Sequence, residues 1–287
     1  MTYCVAARLD SGLVFLSDSR TNAGVDQISV FRKMTVFERA GDRVMTLMTS
    51  GNLAVSQAVL NALTRPRPEG CETLWSAPDM FEAACVVGAA VREVYRHEAA
   101  ALHEQHVDFN VSLIFGGQIG AERCRLFQVY SAGNFIEAGQ ECPYFQIGEA
   151  KYGKPILDRV LRPDTSLDEA AKCALISMDS TLRSNISVGL PLDLLVYGAD
   201  TLRVTHFACI DENNEYFRMI RGSWGERLRQ VFAEIPAPLW TSPEAPTSLV
   251  PPSRVHQPLR AEPAGETGAS HPAPQSLAED PGKKQAG

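Results

Sequence analysis

Apolar residues crowd the chain from its second position onward. Thr2–Leu9 (TYCVAARL) reads as a strand, Asp10-Ser11-Gly12 as a turn and Leu13–Asp18 as a second strand, which together make a hairpin. A loop at Thr21-Asn22-Ala23-Gly24 leads into a short stretch around Ser29–Lys33. MTVFERAGDRVMTLMTSG, residues 34–51, is a second hairpin that turns at Ala40-Gly41-Asp42.

The period then changes. In Asn52–Thr64 the apolar residues Val55, Ala58, Val59, Ala62 and Leu63 fall at helical spacing, and Arg65-Pro66-Arg67-Pro68 stops the helix. A longer helix is expected from about Ser76 to His106. Ser76 and Asp79 form a capping-box-like pair there, and Pro78 sits where a first turn tolerates it. Strands return at residues 110–120, 124–133 and 144–147. Helices follow at 152–161 and 168–182, then strands at 192–200 and 202–210. Residues 215–235 read as a last helix interrupted by Gly222 and Gly225. Hairpins with helices in blocks, rather than alternating βαβ units, predict α+β layering over residues 1–235. Residues 236–287, rich in Pro, Ala, Ser, Glu and Gly, have almost no periodic apolar pattern and are expected to be a disordered tail.

Composition narrows the class. The 287 residues are 45% apolar and 21% charged, as in ordinary globular proteins. A net charge of -7 argues against binding nucleic acid along its phosphate backbone. No apolar run approaches the roughly 18–20 residues that span a bilayer, and no secretory signal is evident at the start, so a cytoplasmic protein without a membrane partner is expected. The seven cysteines are scattered and form no C-x-x-C pair, so they read as reduced thiols. His97, His103 and His106, with Glu104 between, lack the H-E-x-x-H spacing, and neither metal nor cofactor is expected.

A strand that begins at residue 2 is unusual, because chain ends are loose unless tied down. Thr2 is small enough for Met1 to be removed, which would put a free amine and a hydroxyl on one residue. The α-amine, with a reference pKa of about 8, can serve as the base that activates the hydroxyl. A lysine held by an aspartate would add positive potential beside it, and the sequence offers Asp18 and Lys33 on neighbouring short elements. Gly51 lies where a strand gives way to a helix, and its N–H is a candidate oxyanion donor.

Thr2, S-D-S-R at 17–20, R-K-M at 32–34 and T-S-G-N at 49–52 together resemble the proteasome β-subunit family. D-S-R-T-N-A-G at 18–24 and S-T-L-R-S-N-x-S-V-G at 180–189 resemble its bacterial Anbu branch, the ancestral β subunit. The resemblance covers about residues 2–235. It implies an N-terminal-nucleophile hydrolase with a four-layer αββα sandwich, and self-assembly into rings or an open spiral. It also implies a peptide or other amide substrate. Under it, Thr2 matches the nucleophile, Asp18 the orienting acid, Lys33 the basic residue, Gly51 the oxyanion glycine and Ser187 the family's downstream serine. Phe31, Thr49 and Leu53 match the walls of the specificity pocket, though such residues equally suit a core.

The chain departs from the family in three places. It is one residue shorter between Asp18 and Lys33. Ser184 or Asn185 stands where the family's Asp-x-x-Ser-Gly has its acid, and Asn185 and Ser187 equally suit helix-end or loop roles. Gly148-Glu149-Ala150 replaces a Gly-Ser-Gly, with Glu149 as a candidate for a charge role. Two functions therefore stand at this point: a threonine-type peptidase or amidohydrolase, and a ring or spiral scaffold or binding particle with little or no turnover.

Overall fold

The computed structural model describes residues 2–22 and 28–238; Met1, residues 23–27, which include part of the expected loop at Thr21–Gly24, and residues 239–287, most of the expected disordered tail, lie outside the described residues. The elements in chain order are β1 (Tyr3–Leu9), β2 (Gly12–Asp18), β3 (Arg20–Asn22), β4 (Ile28–Val30), β5 (Met34–Arg39), β6 (Arg43–Gly51), α1 (Leu53–Thr64) and α2 (Met80–Glu104). They continue with β7 (Val111–Ile119), β8 (Arg125–Val129), β9 (Phe135–Glu137), β10 (Tyr144–Gly148), α3 (Lys154–Val160), α4 (Leu167–Ser184), β11 (Leu192–Gly198), β12 (His206–Ile210) and α5 (Glu215–Glu234).

Two five-stranded antiparallel sheets form, in the orders β10-β1-β2-β11-β12 and β5-β6-β7-β8-β9, with β3 and β4 as a separate ribbon. Side chains alternate across a strand, so a strand covered on both faces must be apolar at every position. β1 follows that pattern except at Arg8: Tyr3, Val5, Ala7 and Leu9 pack toward α3, α4 and the start of α5, while Cys4 and Ala6 pack toward the second sheet. In β6, Met45 and Leu47 join α1 and α2, while Val44 and Met48 face the first sheet. Three cores thus separate four layers, in the order helices, sheet, sheet, helices. This is the α+β, αββα sandwich of the N-terminal-nucleophile hydrolases.

Helix starts follow local chemistry. Asn52 caps α1 through its side-chain oxygen, which accepts from the N–H groups of Ala54 and Val55. Ser166 and Glu169 form a full capping box on α4. The expected start of the long helix at Ser76 is corrected: Asp79 is the N-cap of α2, accepting from Phe81 and Glu82 N–H, whereas Ser76 closes a local turn with Thr73. Nor do Gly222 and Gly225 interrupt α5, which runs unbroken from Glu215 to Glu234. A helical glycine costs about 1 kcal/mol relative to alanine, and the buried Phe217 and Ile220 anchor the helix's first turns.

The first strand is fixed from several sides. The Tyr3 hydroxyl lies 2.5 Å from Ser177 Oγ on α4 and accepts from Gln146 Nε2 on β10 at 2.7 Å, with the ring fully buried. Tyr3 pairs with Gly148 on one side, and Cys4 pairs with Ser17 on the other. An ordered strand at residue 3 is therefore the outcome of a buried tyrosine and two flanking strands.

Candidate active site

Thr2 sits at the head of β1, with little exposure. Its carbonyl accepts from Glu149 N–H at 2.7 Å, and the next residue, Tyr3, donates its N–H to Asp18 Oδ1 at 3.0 Å. Asp18 ends β2 and is wholly buried. Its Oδ1 pairs with Lys33 Nζ at 2.8 Å, and its Oδ2 accepts from Gly189 N–H at 3.4 Å. Lys33 Nζ also donates to the Arg20 carbonyl at 2.6 Å. Burial pushes the Asp18 carboxyl above the ordinary carboxylate range, while Lys33 and the two N–H donors pull against that shift. Cys4, next in the strand, is a poor rival nucleophile: complete burial drives its thiol well above the usual range.

A cleft of about 630 Å³ opens between the sheets beside Thr2. Thr2, Lys33, Thr49, Gly51 and Leu53 all line it. Gly51 closes β6 at φ +106°, and a Cβ there would lie 2.3 Å from the Asn110 carbonyl oxygen, so the turn into α1 needs glycine.

Two of the residues singled out in the sequence stand elsewhere. Phe31 is 39% exposed and does not line the cleft; its N–H donates to the Ser19 carbonyl at 2.8 Å, and the segment carries the ring outward. Ser187 lies in the loop after α4, also outside the cleft lining, with its N–H donating to Asn185 Oδ1 at 3.0 Å. Asn185 in turn donates through Nδ2 to Glu149 Oε2 at 3.1 Å. The loop that holds Asn185 and Ser187 is thereby tied to the residue that holds the Thr2 carbonyl.

Three contributors were not read as site residues in the sequence. Gly148 sits at φ +82°, and a Cβ there would fall 2.0 Å from the Thr2 carbonyl oxygen. Gly148→Ala is therefore expected to displace Thr2 and to destabilise the fold by at least about 1–2 kcal/mol, the cost of forcing a side chain into left-handed backbone. Thermal denaturation and peptide turnover of the variant check this. Arg20 and Gly189 are the other two. Arg20 Nη1 donates to the Ile186 carbonyl at 3.1 Å, and the guanidinium lies directly against Gly189. Asp18 and Arg20 of the first resemblance stretch thus meet Ile186 and Gly189 of the second. No local sequence pattern announces a contact between residues so far apart.

With this geometry in view, known proteins supply the family. The proteasome subunit family model matches residues 80–195. The Anbu (ancestral β-subunit) structure from Yersinia bercovieri is 52% identical over 84% of this chain and 100% of its own, with a TM-score of 0.79. This chain belongs to the Anbu family. A Gly-1 mutant of Anbu from Hyphomicrobium sp. strain MC1 is 51% identical over 82% of this chain and 98% of its own, with a TM-score of 0.77. A helical assembly of the Anbu complex from Pseudomonas aeruginosa is 44% identical over 83% of this chain and 98% of its own, at 0.79. No curated protein matches. Among the described residues of this Anbu family member, no helix is long and apolar enough to cross a membrane, and no cluster of His, Cys, Asp and Glu has the makings of a metal site.

Proposed function

We propose that the protein is a threonine-type peptidase or amidohydrolase whose nucleophile is Thr2, freed by removal of Met1, and that it works as a self-assembled cytoplasmic particle. The observation that carries this reading is the buried Asp18–Lys33 pair, bonded through Tyr3 N–H to the residue beside Thr2 at the edge of a cleft. In the proposed reaction the Thr2 α-amine takes the hydroxyl proton as Oγ attacks the amide carbonyl. The oxyanion is held by Gly51 N–H, the amine leaves with a proton from the α-ammonium, and an ester remains on Thr2. Water, activated by the same amine, then cleaves the ester and restores the hydroxyl. Lys33 supplies positive charge beside the hydroxyl, and Asp18 holds Lys33 in place. Thr49 and Leu53 wall the cleft.

Self-assembly is supported by the helical assembly formed by the Pseudomonas aeruginosa relative and by apolar residues exposed on α5, Met219 and Leu228 among them. The segment from residue 236 onward is proposed to be dispensable for assembly. A second reading, a scaffold or binding particle with little turnover, is supported by Asn185 at the family's acid position and by Ser187 outside the cleft lining. Intact mass together with peptide-library turnover separates the two. The hydrolase reading expects loss of Met1 and cleavage by the assembled particle. Met1 retained in most molecules, or a free Thr2 without turnover, favours the scaffold.

A further inference from the structure

At the far end of β1 from Thr2, roughly 20 Å along the strand, Arg8 breaks the apolar run. Side chains alternate across a strand, so Arg8 faces the same way as Cys4 and Ala6, into the space between the two sheets. It is only 8% exposed. Among the described residues its bonds are backbone ones: the pairing with Leu13, and its N–H to the Pro143 carbonyl at 2.7 Å. The guanidinium nitrogens are not sealed in, and the side chain opens onto a cavity of about 350 Å³.

The described acids nearby are not its partners. Glu137 is close enough to feel the Arg8 charge, but Arg125 holds both of its oxygens, at 3.0 and 2.7 Å. Asp10 and Asp200 stand exposed on the rim of the cavity, and neither pairs with Arg8; Asp200 Oδ1 accepts from Gln118 Nε2 at 2.7 Å. Asn22 and Ile28, which flank residues 23–27, pair with each other in the ribbon between Asp18 and Lys33, at the Thr2 end of the sheet. A desolvated guanidinium gains most from a carboxylate, whose two oxygens match its forked donors. The rim acids decide the rest of the ligand, because they repel a dianion such as phosphate and attract an ammonium. A dipeptide holds its two charged ends apart by up to about 7 Å, enough to reach from the buried guanidinium to the rim.

We propose that this cavity binds short peptides by both free ends, with the C-terminal carboxylate on Arg8 and the ammonium against the rim acids Asp10 and Asp200. The site lies apart from Thr2 and does not rest on the hydrolase reading.

The test uses the full-length protein carrying Thr2→Ala, so that no probe is cleaved. It is titrated calorimetrically with Ala-Ala, N-acetyl-Ala-Ala, Ala-Ala amide and inorganic phosphate. Ala-Ala is expected to bind about tenfold or more tightly than the other three, because each of them lacks one of the two charged contacts. Arg8→Met keeps the apolar length of the side chain. It is expected to weaken Ala-Ala by about tenfold or more and to melt no lower than its parent, since the arginine has no partner to lose. Asp10→Asn, on the exposed rim, is expected to narrow the gap between Ala-Ala and N-acetyl-Ala-Ala. No binding of Ala-Ala, binding that survives Arg8→Met, a gap that Asp10→Asn leaves unchanged, phosphate bound as tightly as the dipeptide, or an Arg8→Met chain that unfolds or melts lower would each overturn the proposal.

Discussion

Thr2→Ala is expected to abolish hydrolysis while leaving the fold and the assembly intact. The bonds that order the strand head are made by backbone: the Thr2 carbonyl with Glu149 N–H, and Tyr3 N–H with Asp18. Alanine keeps both. What it removes is one hydroxyl and one methyl at the edge of the cleft, and losses of that size at a site without a buried network cost about 1 kcal/mol or less. Loss of a nucleophile is different in kind, because no neighbouring group can take its place; the nearest thiol, Cys4, is buried and held protonated. Turnover, light scattering and thermal denaturation on the same preparation check the claim together. Cleavage at the wild-type rate by an assembled Thr2→Ala particle removes Thr2 from the mechanism.

Lys33 carries the second large effect. Lys33→Ala takes away the charge beside Thr2 and leaves Asp18 buried without its counter-ion. A loss of at least about 100-fold in turnover is expected, the lower end for a positioned proton-transfer group. The pH profile should move as well. In the wild type Asp18 ionises above the ordinary carboxylate range because burial outweighs its partners, so activity is expected above that point and is lost as pH falls through it. Without Lys33, burial acts with less opposition, and the acid limb should shift to higher pH. Lys33→Arg separates two roles. Arginine keeps the charge, but its planar head cannot occupy the 2.8 Å and 2.6 Å contacts that the ammonium makes with Asp18 and the Arg20 carbonyl. If Lys33 acts on Thr2, the arginine variant is nearly as poor as the alanine one. Near-wild-type turnover in Lys33→Arg would show that the lysine only balances charge.

The layering was legible in the sequence because covered strands have to be apolar on both faces, as Tyr3–Ala7 and Leu13–Leu16 are. The helices were legible because Asn52 and the Pro-rich stop at 65–68 bracket a clean helical period. Thr2, Asp18, Lys33 and Gly51 could be singled out because they end or flank short elements, where side chains and N–H groups are left unpaired by the ladder. Phe31 could not be placed the same way. The ribbon of β3 and β4 redirects its segment, and three polar residues at Arg20–Asn22 give no alternating signal of a strand. The ledge that Gly148 makes under Thr2 and the berth that Gly189 makes for Arg20 were hidden for a related reason. A missing Cβ matters only against a partner that tertiary folding brings near.

The central claim, that the Thr2 hydroxyl is the nucleophile, is tested most directly by covalent capture. A β-lactone opened by an attacking hydroxyl leaves an ester and adds its whole mass to the chain. On the assembled protein, digestion and mass spectrometry should place one adduct per subunit on the N-terminal peptide beginning at Thr2. Labelling should fall away in Lys33→Ala and vanish in Thr2→Ala. An adduct on any other residue, or none on a chain shown to begin at Thr2, would contradict the account.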